Sequence, residues 1–180
     1  VGCGRIGKRH AELLSSGAIE GANLAGVCDT DEERAAAFAS TYGVPAFSHI
    51  EQLCESVKVD VANVCTPSGN HAETATSLAH LGVHVVVEKP MALTLEDADR
   101  MIRACTENQV KLFVVKQNRF NRPIRRAREA VEAGRLGKMV MGTVRVRWCR
   151  DDDYYRQDAW RGTWEQDGGV LANQASHHID

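Results

Sequence analysis

The chain has 180 residues, of which 43% are hydrophobic and 26% are charged, with a formal charge of -2. These proportions are typical of a globular protein and exclude collagen-like, disordered and low-complexity chains. The balanced charge argues against nucleic acid as the main partner, and no apolar run is long enough to cross a membrane. The sequence shows no secretory signal, so we expect a cytoplasmic protein. It contains no C-x-x-C pair that would indicate a metal site, so we expect no bound metal.

Short Val-rich runs alternate with helix-like segments through the first two thirds of the sequence. The predicted strands span residues 23–28, 59–65, 83–87 and 111–115. Such runs are typical of strands that are buried on both faces of a sheet. The βαβα order predicts a doubly wound α/β domain, in which a parallel sheet has right-handed crossovers.

Helix-capping patterns separate the predicted strands. Thr30, Asn70 and Thr94 are each followed three residues later by a carboxylate, which predicts that each residue opens a helix. Gly43 and Gly82 are predicted to end the first two of these helices.

The pattern changes near residue 120. A helix is predicted from Asn121 to Gly134, and residues 143–148 then alternate apolar and basic side chains, as in a strand with one solvated face. We therefore predict a nucleotide-binding domain over residues 1–118 and the beginning of an α+β domain over residues 119–180. Because Val1 stands where a strand should end and the sequence stops within a predicted helix, we expect a fragment of a longer protein, cut at both ends.

The first chemical motif is G-x-G-x-x-G, running from Gly2 to Gly7 at the start of a predicted helix. In a dinucleotide site these glycines allow a tight turn, close approach of a pyrophosphate and close packing of helix on strand. Asp29 ends the next predicted strand, where a carboxylate can bind the adenosine ribose hydroxyls. We therefore predict NAD rather than NADP, because an acid repels a 2′-phosphate and Thr30 supplies no cation. A bare glycine-rich turn is the alternative.

Two further segments follow predicted strands and should face the same ligand. The segment C-T-P-S-G-N-H, residues 65–71, is either part of the cofactor site or a capped loop with an exposed His71. Glu88, Lys89 and Pro90 end the next strand. The Lys89 amine could orient a hydroxyl group or stabilise an alkoxide, although a surface salt bridge is the ordinary alternative.

In order along the chain, these motifs and the final G-G-V-L-A-N-Q-A-S-H-H-I-D resemble the Gfo/Idh/MocA oxidoreductase family. The resemblance implies a Rossmann domain followed by a domain with an open, mostly antiparallel sheet, a cis Lys89–Pro90 peptide, and NAD as the cofactor. The cofactor-binding residues that it implies are Gly2, Gly4, Arg5, Ile6, Gly7, Asp29, Thr66, Pro67, Asn70, His71, Glu88, Lys89, Trp160 and Arg161.

Residues 115–119, 154–155, 160–165 and 168–177 are similar to one subgroup of that family. Its members use NAD+ to oxidise the C3 hydroxyl of UDP-N-acetyl-2-amino-2-deoxy-D-glucuronate in the synthesis of bacterial surface polysaccharides such as lipopolysaccharide. The sequence departs from the wider family at Asn173, where an aspartate is frequent, and at Val170, where the third glycine would stand.

The resemblance implies catalytic roles for Lys89 and His177, and His177 suits a base because an imidazole titrates near neutral pH. Without the resemblance, His177 would be interpreted as an ordinary core or capping histidine, and Lys89 is a second candidate for the base. The implied substrate-binding residues are Lys89, Lys116, Arg119, Asn173 and His177.

Two other functions share these features. An NAD-dependent glycosidase of the same family would regenerate its cofactor in each turnover, and a non-catalytic NAD-sensing protein would not need Lys89 and His177 together. The arginine-rich run at residues 119–128 is predicted to be a solvated helix face or a contact between subunits, and the full-length protein is expected to form a homo-oligomer.

Overall fold

The structure, a computed structural model, describes residues 1–180. Its elements are α1 (Arg5–Ser15), β1 (Val27–Cys28), α2 (Glu32–Tyr42), β2 (Ala46–Phe47), α3 (Ile50–Ser56), β3 (Val61–Val64), α4 (His71–His80), β4 (His84–Val87), α5 (Leu95–Glu107), β5 (Leu112–Val114), α6 (Arg122–Glu132), α7 (Asp152–Arg156) and α8 (Ser176–Ile179). A π-helical turn, Leu171–Ala175, leads into α8. None of the helices combines the length and apolar character needed to span a bilayer.

All strand pairs are parallel, as predicted, with β1 beside β2 and β3-β4-β5 in that order. The first two residues join the two sheets. Val1 donates its amino group to the Asn63 carbonyl (2.8 Å), and Gly2 donates its amide to the Cys28 carbonyl (2.8 Å). The start of the chain therefore lies between β1 and β3, which gives the strand order of a doubly wound sheet.

The four predicted strands are present but shorter than expected, and three elements were missed. The strand β2 has only two residues, α3 has seven and α7 has five. Segments this short show no hydrophobic period in a sequence, so pairing within the tertiary structure decides them.

The main core forms where α4 packs against α5, β3 and β4, and α5 also contacts β5. Leu78, Val85 and Met101 are fully buried at its centre. Alanines on α4 allow the helix to approach the sheet closely, and the Val-rich strands fill the opposite side.

The helix caps agree with the sequence only in part. Thr94 caps α5 by accepting a hydrogen bond from the Asp97 amide (3.1 Å). The cap of α2 is Asp31 rather than Thr30, because the Asp31 carboxylate accepts from the Arg34 amide. Asn70 precedes α4 but makes no side-chain capping bond, since a 3₁₀ turn already leads into the helix.

The predicted strand at residues 143–148 is wrong. Residues 138–150 form no strand and no backbone–backbone hydrogen bond, and Val144, Val146 and Trp148 are exposed. The alternating pattern is present, but no other strand within residues 1–180 lies beside this segment, and a strand is stable only when its backbone is paired. The domain boundary near residue 118 stays a prediction.

We expect Met101→Ala to lower the free energy of unfolding by about 2–5 kcal/mol, because the side chain is fully buried and its removal leaves a cavity. Ile102→Ala on the same helix is the matched control, since Ile102 is 50% exposed. Urea unfolding of both variants measures the difference. Equal losses would contradict the placement of α5 on the sheet.

Candidate active site

A cavity of about 1020 Å³ lies beyond the carboxyl ends of the strands. One side is formed by the start of α1 and by the loops that follow β1, β3 and β4. The other side is formed by residues between Trp148 and His177. This is where ligands bind in doubly wound sheets, and the volume is at the upper end of the range for small-molecule sites.

The three motif glycines have separate structural roles. A Cβ at Gly2, whose φ is +90°, would collide with the backbone of Cys65, and a Cβ at Gly7 would collide with the Gly2 carbonyl oxygen. A Cβ at Gly4 would meet nothing within 4 Å, and Gly4 lines the cavity. No side chain caps α1, so its first amides have no side-chain acceptor beside this open space, as in sites that bind a pyrophosphate.

Asp29 is fixed at the adenosine end of the expected cofactor site. Its carboxylate accepts hydrogen bonds from the amides of Cys3 (2.7 Å) and Asp31 (2.9 Å). The guanidinium of Arg34 lies 3.9 Å from the same carboxylate and also lines the cavity. This cation was not predicted from the sequence, because it belongs to the first turn of α2 and not to the residue after Asp29.

His71 holds two loops together. Its ring nitrogens lie 2.8 Å from the Pro90 carbonyl oxygen and 3.0 Å from the Thr66 carbonyl oxygen. The ring is 1% exposed, and this burial lowers the pKa of His71. It is therefore not the exposed histidine of the alternative interpretation, and the peptide between Lys89 and Pro90 next to it is cis, as expected.

Glu88 anchors the backbone of Lys89. Its carboxylate accepts hydrogen bonds from His10 Nε2 (2.9 Å) and from the Lys89 amide (3.1 Å). Burial raises the pKa of Glu88, but these hydrogen bonds outweigh burial and hold the pKa below its ordinary value. The sequence analysis did not identify His10, because only the fold places this part of α1 beside the end of β4.

The Lys89 ammonium is held by Asn173. Lys89 Nζ donates to the Asn173 carbonyl oxygen (2.7 Å) and to Asn173 Oδ1 (2.8 Å). Asn173 Nδ2 in turn donates to Asp167, which also accepts the Gly162 amide (2.8 Å). Burial lowers the pKa of Lys89, whereas the charges of Glu88 and Asp167 act in the opposite direction.

Asp167 is a third residue, after Arg34 and His10, that the sequence did not indicate. It is 4% exposed and fixes the amide of Asn173 so that the amide oxygen faces Lys89. A carboxylate thus stands one hydrogen bond behind the position where the wider family often carries an aspartate.

His177 lines the same cavity as Lys89. Its Nε2 lies 3.5 Å from Gln117 Nε2, and its Nδ1 is buried without a hydrogen-bond partner. Burial and the positive charges of Lys89 and Lys116 lower the pKa of His177 below its ordinary value. A lowered pKa favours the neutral imidazole, which is the form that can accept a proton.

Two predicted substrate-binding residues lie outside this cavity. Arg119 donates two hydrogen bonds of 2.6 Å to Asp180, and Lys116 Nζ lies 3.6 Å from the same carboxylate. By contrast, Trp160 and Arg161 line the cavity, with the Arg161 guanidinium over the Trp160 ring and paired with Asp158.

The remaining predicted residues are brought together as a set. The cavity wall contains every predicted cofactor-binding residue except Gly7, namely Gly2, Gly4, Arg5, Ile6, Asp29, Thr66, Pro67, Asn70, His71, Glu88, Lys89, Trp160 and Arg161. Thr66 Oγ1 is buried there without a partner, which suits a bound ligand with polar groups. No group of three His, Cys, Asp or Glu side chains is arranged to hold a metal ion.

Two family profiles match the sequence in succession. The profile of an oxidoreductase family with an NAD-binding Rossmann fold matches residues 1–116, and the GFO/IDH/MocA C-terminal domain matches residues 124–180.

Similar proteins include two crystal structures of WlbA dehydrogenases in complex with NADH and UDP-GlcNAcA. The Bordetella pertussis enzyme is 43% identical with a TM-score of 0.94, over 99% of this chain and 53% of that chain. The Chromobacterium violaceum enzyme is 38% identical with a TM-score of 0.94, over 99% of this chain and 51% of that chain.

A curated relative, the myo-inositol 2-dehydrogenase of Thermotoga maritima, is 37% identical over 77% of this chain and 41% of its own length. The chain thus spans about half the length of these relatives or less.

The glycine geometry predicts different effects for two alanine substitutions. Gly7→Ala should lower the urea midpoint of unfolding, because its Cβ collides with the Gly2 carbonyl. Gly4→Ala should leave the midpoint unchanged but weaken NADH binding, because its Cβ enters the cavity. Urea unfolding and NADH fluorescence titration measure the two effects, and an unaltered NADH affinity in Gly4→Ala would contradict the placement of the pyrophosphate.

Proposed function

Because this chain belongs to the GFO/IDH/MocA oxidoreductase family, we propose that the full-length protein is an NAD-dependent dehydrogenase of a UDP-sugar. The substrate is of the UDP-N-acetylglucosaminuronate type, and its C3 hydroxyl is oxidised to a ketone. The observation that carries this proposal is the Lys89 ammonium, held by Asn173 in the same cavity as His177.

The nucleotide-sugar assignment rests on the two WlbA dehydrogenases, whose likeness extends across 99% of the chain. The Thermotoga inositol dehydrogenase is less identical to this chain than the Bordetella enzyme, at 37% against 43%. A role in the synthesis of bacterial surface polysaccharides, a cytoplasmic location and a homo-oligomeric state belong to the same proposal.

The residues around the cavity are suited to hold NAD, which when bound supplies the acceptor for a hydride. The first turn of α1, with Gly4 and Arg5, would bind the pyrophosphate, and Asp29 would bind the adenosine ribose. Thr66 Oγ1 is an unpaired polar group in the same wall.

The chain's own contribution to alcohol oxidation is to move one proton and to stabilise one oxygen. His177 accepts the proton of the substrate hydroxyl. Lys89 stabilises the negative charge that develops on the oxygen, since an ammonium has three donors and only two are used by Asn173. Lys116 and Arg119 remain proposed diphosphate ligands, although both lie outside the cavity and pair with Asp180.

We expect Lys89→Ala and His177→Asn each to reduce UDP-sugar oxidation by about 10²–10⁴-fold, the usual contribution of general acid–base groups. NADH binding should change little in either variant. His178→Asn is the matched control, because His178 is exposed and does not line the cavity. NADH formation at 340 nm, with UDP-GlcNAcA as substrate, measures the rates.

The pH dependence identifies the base. Since the pKa of His177 is lowered, kcat/KM should fall only as the pH drops below the ordinary histidine range, and His177→Asn should lack this acidic limb. Full activity in His177→Asn would leave Lys89 as the only candidate base. Oxidation of inositol but not of UDP-sugars would overturn the substrate assignment, and a reaction without net NADH would indicate a glycosidase.

Cofactor selection gives a separate prediction. The protein should bind NAD+ more tightly than NADP+, because Asp29 repels a 2′-phosphate. Asp29→Ala should reduce this difference in affinity between the two cofactors. Arg34→Ala should increase the preference for NAD+ over NADP+, because this cation lies 3.9 Å from Asp29 and offsets its charge. Titration with both cofactors measures the ratios, and equal affinities in the unmutated protein would contradict the role of Asp29.

A further inference from the structure

Arg150 is a cation in the cavity wall that has no counterion. Its guanidinium carbon lies 3.9 Å from the ring centroid of Trp148 and 4.8 Å from that of Tyr154. The two rings fix the plane of the guanidinium, but Nε is buried without a hydrogen-bond partner. Arg150 makes neither a hydrogen bond nor a salt bridge.

The nearby carboxylates are occupied elsewhere. Asp151 accepts the Tyr154 amide, and both Asp152 and Asp153 pair with Arg156. The other arginine in this part of the wall, Arg161, is paired with Asp158. Among Arg150, Arg156 and Arg161, Arg150 is therefore the one whose guanidinium has no carboxylate partner.

A buried hydrogen-bond donor without an acceptor is rare in a folded protein. A planar guanidinium commonly donates two parallel hydrogen bonds to two oxygens of one carboxylate or phosphate. Since Arg150 lines the cavity, a ligand in the cavity can supply the missing acceptor. The ligand group that suits Arg150 is thus an anion with at least two oxygens.

The position of Arg150 favours the substrate over the cofactor. The cofactor pyrophosphate already has a site at the start of α1. Arg150 instead stacks on Tyr154, whose hydroxyl accepts a hydrogen bond from Gln174 (3.1 Å), and Gln174 adjoins Asn173, which holds Lys89.

We propose that Arg150 anchors a negatively charged group of the substrate, a carboxylate or a phosphate. This inference rests on the proposed function, because it assigns a subsite for the charged part of the sugar nucleotide. The aromatic pair of Trp148 and Tyr154 holds the guanidinium in place before the ligand binds, so that little side-chain freedom is lost on binding.

The test uses the full-length protein and three variants, Arg150→Gln, Arg150→Lys and Arg147→Gln. Arg147 is the matched control, because it is an exposed arginine of the same segment and does not line the cavity. The dissociation constants of UDP-GlcNAcA, UDP-GlcNAc and NADH are measured by calorimetry, and urea midpoints check folding.

Arg150→Gln should weaken binding of UDP-GlcNAcA by about tenfold or more, as expected for the loss of a charge-assisted hydrogen bond. Arg150→Lys should restore part of this loss, and Arg147→Gln should change nothing. NADH affinity should stay within about twofold in all three variants. A loss confined to UDP-GlcNAcA would identify the carboxylate as the bound group, whereas an equal loss for UDP-GlcNAc would identify the diphosphate.

Unchanged affinity for both sugar nucleotides in Arg150→Gln and Arg150→Lys would overturn the inference, as would a loss of NADH affinity alone. If the unmutated protein oxidises no UDP-sugar, the proposed function fails, and inorganic pyrophosphate then tests the subsite with NADH present. Weaker pyrophosphate binding in Arg150→Gln than in Arg147→Gln would support the anion site, and equal binding would reject it.

Discussion

The hydrogen bonds between Lys89 and Asn173 hold the two sides of the cavity together. Lys89 follows β4 in the parallel sheet, whereas Asn173 belongs to the helical turn before α8. A buried ammonium must be compensated, and Asn173 supplies two acceptors while Asp167 supplies a negative charge behind it. These groups fix the direction of the amine, and the negative charge of Asp167 opposes the lowering of the Lys89 pKa by burial.

The loops at the carboxyl ends of the strands are held in place by residues that need not touch a ligand. His71 links the carbonyl groups of Thr66 and Pro90, and Glu88 links His10 of α1 to the Lys89 backbone. Such contacts restrict the position of the Lys89 side chain before any ligand binds. Preorganisation of this kind is the main way in which a protein stabilises charge that develops during a reaction.

The cations near the cavity differ in how they are neutralised. Arg161 has Asp158 beside it, and Arg119 has Asp180, so that each pair contributes little net charge. Arg150 is held only by aromatic rings, which attract a cation but offer no acceptor for its hydrogen bonds. Whether an arginine has a carboxylate partner therefore indicates more about its role than the number of arginines in its segment does. For this reason the arginine-rich run of α6 carries less information than the single Arg150.

Features that depend on local pattern could be predicted from the amino-acid sequence. These are the parallel strands, the glycine turn before α1, and the placing of Asp29 and Lys89 at strand ends, because hydrophobic period and strand polarity suffice to fix them. The contacts of His10, Asp167 and Arg150 depend on the fold. The partner of His10 lies 78 residues away in sequence, Asp167 contacts Asn173 across an irregular turn, and Arg150 is held by aromatic faces. The predicted strand at residues 143–148 is absent for a similar reason. An alternating pattern specifies which face of a strand would be apolar, but hydrogen bonding to a neighbouring strand decides whether the strand forms.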